Sequence, residues 1–129
     1  EADGMAKTIL ICDDVAFVRR TLSDILTEAH YQVVGEASSG EEAISLYQKL
    51  RPNIVTMDLV MPKMSGRQLA DQVVGLRPNI RVLYLSGYTD DAVVRHGVLE
   101  AGAAFLQKPF TPRALTRKVR DTLDGSSAR

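Results

Sequence analysis

The chain has only one cysteine, Cys12, so no internal disulfide can form, and that suits a reducing cytoplasm. It also lacks an excess of either charge. Sixteen Lys and Arg residues balance 16 Asp and Glu, for a formal net charge of +0 at pH 7. Such a balance offers no electrostatic reason to seek nucleic acid or an anionic membrane, and neither is expected as a partner. No apolar run approaches the ~20 residues of a membrane-spanning helix. No secretory leader pattern is present, nor any internal repeat or low-complexity tract. What is there is 129 residues, 45% hydrophobic and 25% charged, enough for one ordinary domain with its own core. Residues 1–5 read as a remnant ahead of the fold together with a start at Met5, residues 6–124 as the domain, and residues 125–129 as a polar tail.

Short apolar runs alternate with segments of helical period. Thr8 to Cys12 is a compact strand candidate, and Val15, Val18, Leu22, Ile25, Leu26 and Ala29 then recur at helical spacing. Tyr31 to Ala37 reads as a second, more polar strand. Ser39-Gly40-Glu41-Glu42 opens a helix to about Leu50, with Ser39 or Gly40 as N-cap and acids in its first turn. Arg51-Pro52-Asn53 ends it. Ile54 to Met57 is a third strand ending at Asp58, followed by a helix from Ser65 to about Leu76. Arg81 to Leu85 is a fourth strand ending at Ser86, followed by a helix from Asp90 to about Ala101. Ala104 to Leu106 is a short fifth strand ending near Lys108. Thr111-Pro112 supplies an N-cap and a first-turn proline for a last helix to about Leu123.

Strict alternation of strands with helices of about ten residues implies a parallel sheet covered on both faces. The first, third and fourth strands are nearly continuous apolar runs, as buried parallel strands should be. The polar second strand and the short fifth suit the edges, which favours the order 2-1-3-4-5. Ligands in such sheets bind beyond the carboxyl ends of the strands. Asp13-Asp14, Asp58, Ser86 and Lys108 all fall there. Carboxylates held ~4 Å apart repel by about 4 kcal/mol at an effective dielectric of ~20, a cost that a divalent cation removes. An all-oxygen site with several carboxylates suits Mg²⁺ sharing ligands with a phosphoryl group. Phosphoryl transfer is mainly positioning and charge neutralisation, so Asp58 can serve as carboxylate nucleophile, with Lys108 and the Ser86 hydroxyl on phosphoryl oxygens.

Four segments carry a resemblance. They are Asp13-Asp14 after an apolar strand, Asp58-Leu-Val-Met61-Pro62-Lys-Met64-Ser-Gly66, Ser86-Gly87, and Lys108-Pro109-Phe110. In this order they resemble the response-regulator receiver domain over about residues 6–124, close to the chemotaxis regulators. The resemblance implies a flavodoxin-like (βα)5 fold and a Mg²⁺-dependent switch phosphorylated at Asp58 by a histidine kinase or histidine phosphotransfer protein. It implies Asp13, Asp14, Asp58 and the Val60 backbone carbonyl as metal ligands, and a Lys–Pro peptide that is commonly cis. It also implies a conformational change through Ser86 and Phe105 that alters binding to an output protein not identifiable from sequence. Phe105 stands where many members have Tyr, which puts in doubt any output that reads a Tyr hydroxyl. The C-terminal half resembles receivers of hybrid sensor kinases, so an excised or chimeric origin is an alternative.

Plainer readings stand beside these. Asp13-Asp14 could be a helix N-cap pair, with Asp14 serving both as cap and as ligand. Phe105 could be an ordinary core residue and Tyr88 a loop aromatic or a lid over the acyl phosphate. Val60 and Tyr88 are the residues expected to tune the lifetime of that phosphate. Cys12 reads as core, His96 as solvated, and His30 as the end of the first helix, where a partly charged imidazole suits the dipole. The basic residues of the last helix read as a wet face, with partner docking as runner-up. A Mg²⁺-dependent phosphohydrolase with an aspartate nucleophile is the rival function. It usually carries a second acid two residues after the nucleophile, where this chain has Val60. The protein is therefore expected to be a cytoplasmic signalling switch rather than a multiple-turnover enzyme.

Overall fold

The computed structural model describes residues 6–58, 81–86 and 104–125, with Gln68, Asp71 and Gly75 as helical positions between them. Of Ser86 the backbone is described. The helices expected near 65–76 and 90–101 lie largely or wholly outside these residues.

Strand β1 (Thr8–Cys12) is buried from Ile9 to Cys12, and β3 (Ile54–Asp58) is buried throughout. Helix α1 (Ala16–Glu28) buries Leu22 and Leu26, one turn apart. Helix α2 (Gly40–Leu50) follows β2 (Gln32–Ala37) and begins with a strong cap. Ser39 Oγ accepts from Glu42 N–H at 3.2 Å, and Glu42 Oε1 accepts in return from Ser38 N–H at 2.8 Å. Strands β4 (Arg81–Ser86) and β5 (Ala104–Gln107) precede the C-terminal helix, α3 (Pro112–Leu123). Thr111 caps α3 through Ala114 N–H at 3.0 Å, with proline in its first turn, as the sequence suggests.

The sheet is parallel, in the order β2-β1-β3-β4-β5. The edges behave as edges: β2 is buried only at Ala37, and β5 has no fully buried residue. Alternation along each strand builds two apolar layers. On one face Leu10, Cys12, Val55, Met57 and Tyr84 pack with Ala43 and Tyr47 of α2. On the other Ile9, Ile11, Ile54, Leu83 and Leu85 pack with Leu22 and Leu26 of α1 and Leu115 and Val119 of α3. Gly35 lets α2 approach β2, since a Cβ there would stand 2.8 Å from Leu50 Cδ1.

Both N-terminal helices end on a left-handed residue. His30 (φ 74°) closes α1, donating its N–H to Thr27 O while Tyr31 N–H reaches Leu26 O. Arg51 (φ 48°) closes α2. Neither is the glycine that usually marks such a turn, so the helix ends are visible in sequence but not their geometry.

Candidate functional site

Cys12 of β1 pairs with Met57 of β3, so the residues that follow each of them emerge side by side at the carboxyl edge. Those residues are Asp13 and Asp58, 0% and 7% exposed. Asp14 is exposed beside them, and one carboxylate oxygen from each of the three lies within 4.8 Å of the others. Lys108 reaches across from the end of β5. Its Nζ lies 3.4 Å from Asp13 Oδ2 and 3.7 Å from Asp58 Oδ1. The Lys108–Pro109 peptide is cis.

Asp13 is gripped on several sides. Its backbone N–H donates to Ala37 O at 3.0 Å, and its Oδ1 accepts from Val15 N–H at 2.9 Å. Val15 occupies the N-cap position of α1 and makes no side-chain capping bond. The expected cap by Asp14 is therefore replaced by a turn that Asp13 closes. Arg19 Nη1 donates to the Asp13 carbonyl at 2.8 Å, and Arg19 Nε pairs with Glu36 Oε1 at 3.4 Å. Arg19 was not among the residues singled out in the sequence, because a contact from the first turn of a helix back to the preceding loop leaves no periodic signal.

The field of the acids extends into the core. Burial, then the neighbouring Asp13, then Glu42 push the Cys12 thiol up to about 12. Glu42 moves the other way. The Ser38 backbone N–H and hydroxyl, and behind them Arg19, hold its carboxyl below the usual range despite an opposing contribution from burial.

The backbone brings Ser86 to the same edge. Asp58 pairs with Leu85, and Ser86 lies opposite Gln107, the residue before Lys108. Phe105 is half-buried against the layer that holds Met57 and Tyr84. Val60 and Tyr88 lie outside the described residues, as does His96. Beside Lys108 a groove of about 290 Å³ runs between α1 and Pro109-Phe110, lined by Phe17, Val18, Thr21 and Leu22. Phe17 is 77% exposed and Val15 47%, an unusual display of apolar surface next to a charged site.

Three carboxylates facing one ammonium leave the cluster with excess negative charge. Oxygen donors with that excess, two of the three buried, fit a hard divalent cation sharing its coordination sphere with water and an anion. Among the described residues no helix is long and apolar enough to cross a membrane.

The response regulator receiver domain family matches residues 9–120. The chain belongs to that family. The receiver is 41% identical to the chemotaxis protein CheY of Thermotoga maritima over 108 residues, 84% of this chain and 90% of that protein. It is 32% identical to CheY of Bacillus subtilis over 120 residues, covering 93% and 100% of the two. Among solved structures, the CheX–CheY–BeF3–Mg+2 complex from Borrelia burgdorferi contains a chain that superposes with a TM-score of 0.84 at 28% identity, covering 93% of this chain and 91% of that one. The protein is thus a receiver of the CheY-like kind, a phosphoryl-accepting signalling switch with an acidic cluster at its sheet edge.

Proposed function

We propose that this receiver accepts a phosphoryl group on Asp58, in the presence of Mg²⁺, from the phosphohistidine of a cytoplasmic histidine kinase or phosphotransfer protein. The observation that carries this reading is the gathering of Asp13, Asp14 and Asp58 within 4.8 Å, with Lys108 against two of them. These three carboxylates, with the Val60 backbone carbonyl, are the residues that would hold the ion. When bound, Mg²⁺ supplies positive charge that offsets the acids and a phosphoryl oxygen. An Asp58 oxygen provides the electron pair for the new O–P bond as the donor's N–P bond breaks. The N–P electrons return to the imidazole, which takes a proton from solvent. Lys108 Nζ, already 3.7 Å from Asp58 Oδ1, turns to a phosphoryl oxygen, and the Ser86 hydroxyl donates to another.

Exposed Phe17 and Val15 beside the groove at Lys108 give a donor helix apolar footing next to the acceptor. Phosphorylation then draws Ser86 inward and repacks Phe105, which changes the surface offered to an output protein. That a Borrelia CheY forms a complex with BeF3, Mg+2 and the protein CheX supports a receiver that takes up Mg²⁺ and engages a protein partner. Val60 carries no acid or amide to orient an attacking water, so the acyl phosphate is long-lived, the more so if Tyr88 covers it.

The test is intact mass after incubation with Mg²⁺ and acetyl phosphate. A gain of one phosphoryl group, mapped to Asp58 and lost in Asp58→Ala, is expected. Labelling that survives Asp58→Ala, or maps to Ser86, overturns the assignment. Lys108→Ala should weaken the response to phosphorylation more than it weakens metal binding. Decay of the phosphorylated mass should quicken in Val60→Asn combined with Tyr88→Glu, and an equal or slower decay rejects the lifetime roles.

A further inference from the structure

Two of the three clustered acids are held by their surroundings and one is not. Asp13 is fixed by Ala37 O, by Val15 N–H and by Lys108. Asp58 is buried at the end of a central strand, paired through its backbone with β4. Asp14 is exposed, and among the described residues nothing hydrogen-bonds its carboxylate. Yet that carboxylate lies within 4.8 Å of the other two. What aims it is the backbone, and the plane of the Asp13–Asp14 peptide is marked by its carbonyl oxygen. That oxygen accepts a charge-assisted hydrogen bond from Arg19 Nη1 at 2.8 Å.

Arg19 is well placed to hold it still. Its side chain is only 18% exposed, and Nε is tied to Glu36 Oε1 at 3.4 Å, at the end of β2. Its charge also acts on Glu42 in the first turn of α2. One planar guanidinium therefore joins the ends of β1 and β2 to the first turn of α1. A lysine ammonium carries the same charge but cannot present a fork to both acceptors.

We infer that Arg19 is a positioning residue for the divalent cation: through the Asp13 carbonyl it aims Asp14 into the carboxylate cluster, so the ligands stand assembled before the ion arrives. This rests on reading Asp13, Asp14 and Asp58 as a cation site. The inference has a sign opposite to simple electrostatics. A cation beside a cation site repels the incoming ion, so removing the Arg19 charge should by Coulomb's law alone tighten Mg²⁺ binding. Loss of a partner that orients a ligand should weaken it.

The experiment is calorimetric titration of the full chain with MgCl₂ at constant ionic strength. The proteins are wild type, Arg19→Met, Arg19→Lys, Asp14→Asn and the Arg19→Met/Asp14→Asn double variant. Arg19→Met should bind Mg²⁺ roughly tenfold more weakly. Arg19→Lys, which keeps the charge and loses the fork, should also bind more weakly than wild type. In the double variant most of the Arg19 effect should vanish, since its route runs through Asp14. Wild type without saturable Mg²⁺ binding overturns the cation site itself. Wild-type binding with equal or tighter binding in Arg19→Met overturns the positioning role alone. Fully additive losses in the double variant do so too, because Arg19 would then act elsewhere. Should Arg19→Met fail to fold by circular dichroism, Arg19→Lys decides by the same criterion.

Discussion

Strands β1 and β3 lie side by side along their whole length, and their two ends are built on opposite principles. At the amino end neutral groups satisfy each other. Asn53 Oδ1 accepts from Thr8 N–H at 2.8 Å and from Thr8 Oγ1 at 3.0 Å, while Asn53 N–H reaches Thr8 O at 3.0 Å. At the carboxyl end, one strand length away, Asp13 and Asp58 bring like charges together with a third acid beside them. The first end closes the sheet edge by local pairing. The second brings together charges that, among the described residues, Lys108 offsets by direct contact, and such an arrangement persists when the rest of the fold outweighs its cost. The two helices that start at the carboxyl edge differ as well. Helix α2, which follows the edge strand β2, has Ser39 as cap and Glu41 and Glu42 in its first turn. Helix α1, which begins at the acids, has Val15 as N-cap and no acid in its first turn.

The largest expected effect that sharpens this contrast is at high pH. Burial first, and then the neighbouring Asp13 and Glu42, raise the Cys12 thiol to about 12 from 9.0. Between those values the unfolded chain has lost the thiol proton and the folded chain keeps it. Stability should therefore fall as pH rises through this window, by on the order of 4 kcal/mol at most. Lysines and tyrosines titrate there as well, so the measurement is the difference between wild type and Cys12→Ala in urea unfolding from pH 8 to 11. Parallel curves would show that neither burial nor the neighbouring acids hold this thiol protonated.

Next in size is Asn53→Ala. It removes the neutral link and should cost about 1 kcal/mol. That corresponds to a drop in Tm of roughly 3–5 °C. The drop should be the same in chelator and in Mg²⁺, because this end takes no part in ion binding. A Mg²⁺ shift that changes with Asn53→Ala breaks the separation of the two ends. Smallest is Val15→Ser, which offers α1 the side-chain cap it lacks and should raise stability by about 0.5–1 kcal/mol in thermal melts. No gain would mean that the Asp13 turn already satisfies the start of this helix.

The sequence made the sheet readable because each buried strand is a nearly continuous apolar run bounded by an acid, a hydroxyl or a turn. The strand order was readable because β2 is visibly more polar than the other strands and β5 is short. Asp13, Asp14, Asp58 and Lys108 could be placed together because each follows a strand, and parallel strands bring such positions to one edge. Contacts without a spacing rule were not readable. Arg19 on the Asp13 carbonyl is one, and the cap of α1 is another, since Asp13 closes it through Val15 N–H where Asp14 was expected. The left-handed ends at His30 and Arg51 were hidden for a different reason: both residues are chosen against the usual glycine preference, so composition points away from the geometry.

If the carboxyl edge holds its acids at a cost in stability, as the proposed cation and phosphoryl site requires, removing one of the charges should stabilise the fold. Thermal melting of wild type and Asp58→Asn, each in chelator and in millimolar Mg²⁺, tests it most directly. Asparagine keeps the shape and removes one charge, and Lys108 retains its contact with Asp13 at 3.4 Å. In chelator Asp58→Asn should melt above wild type by roughly 2–5 °C, corresponding to about 1 kcal/mol. Wild type should gain about 1.4 kcal/mol at ten times its Mg²⁺ dissociation constant, and Asp58→Asn clearly less. A lower Tm for Asp58→Asn in chelator, together with an undiminished Mg²⁺ shift, would contradict the account.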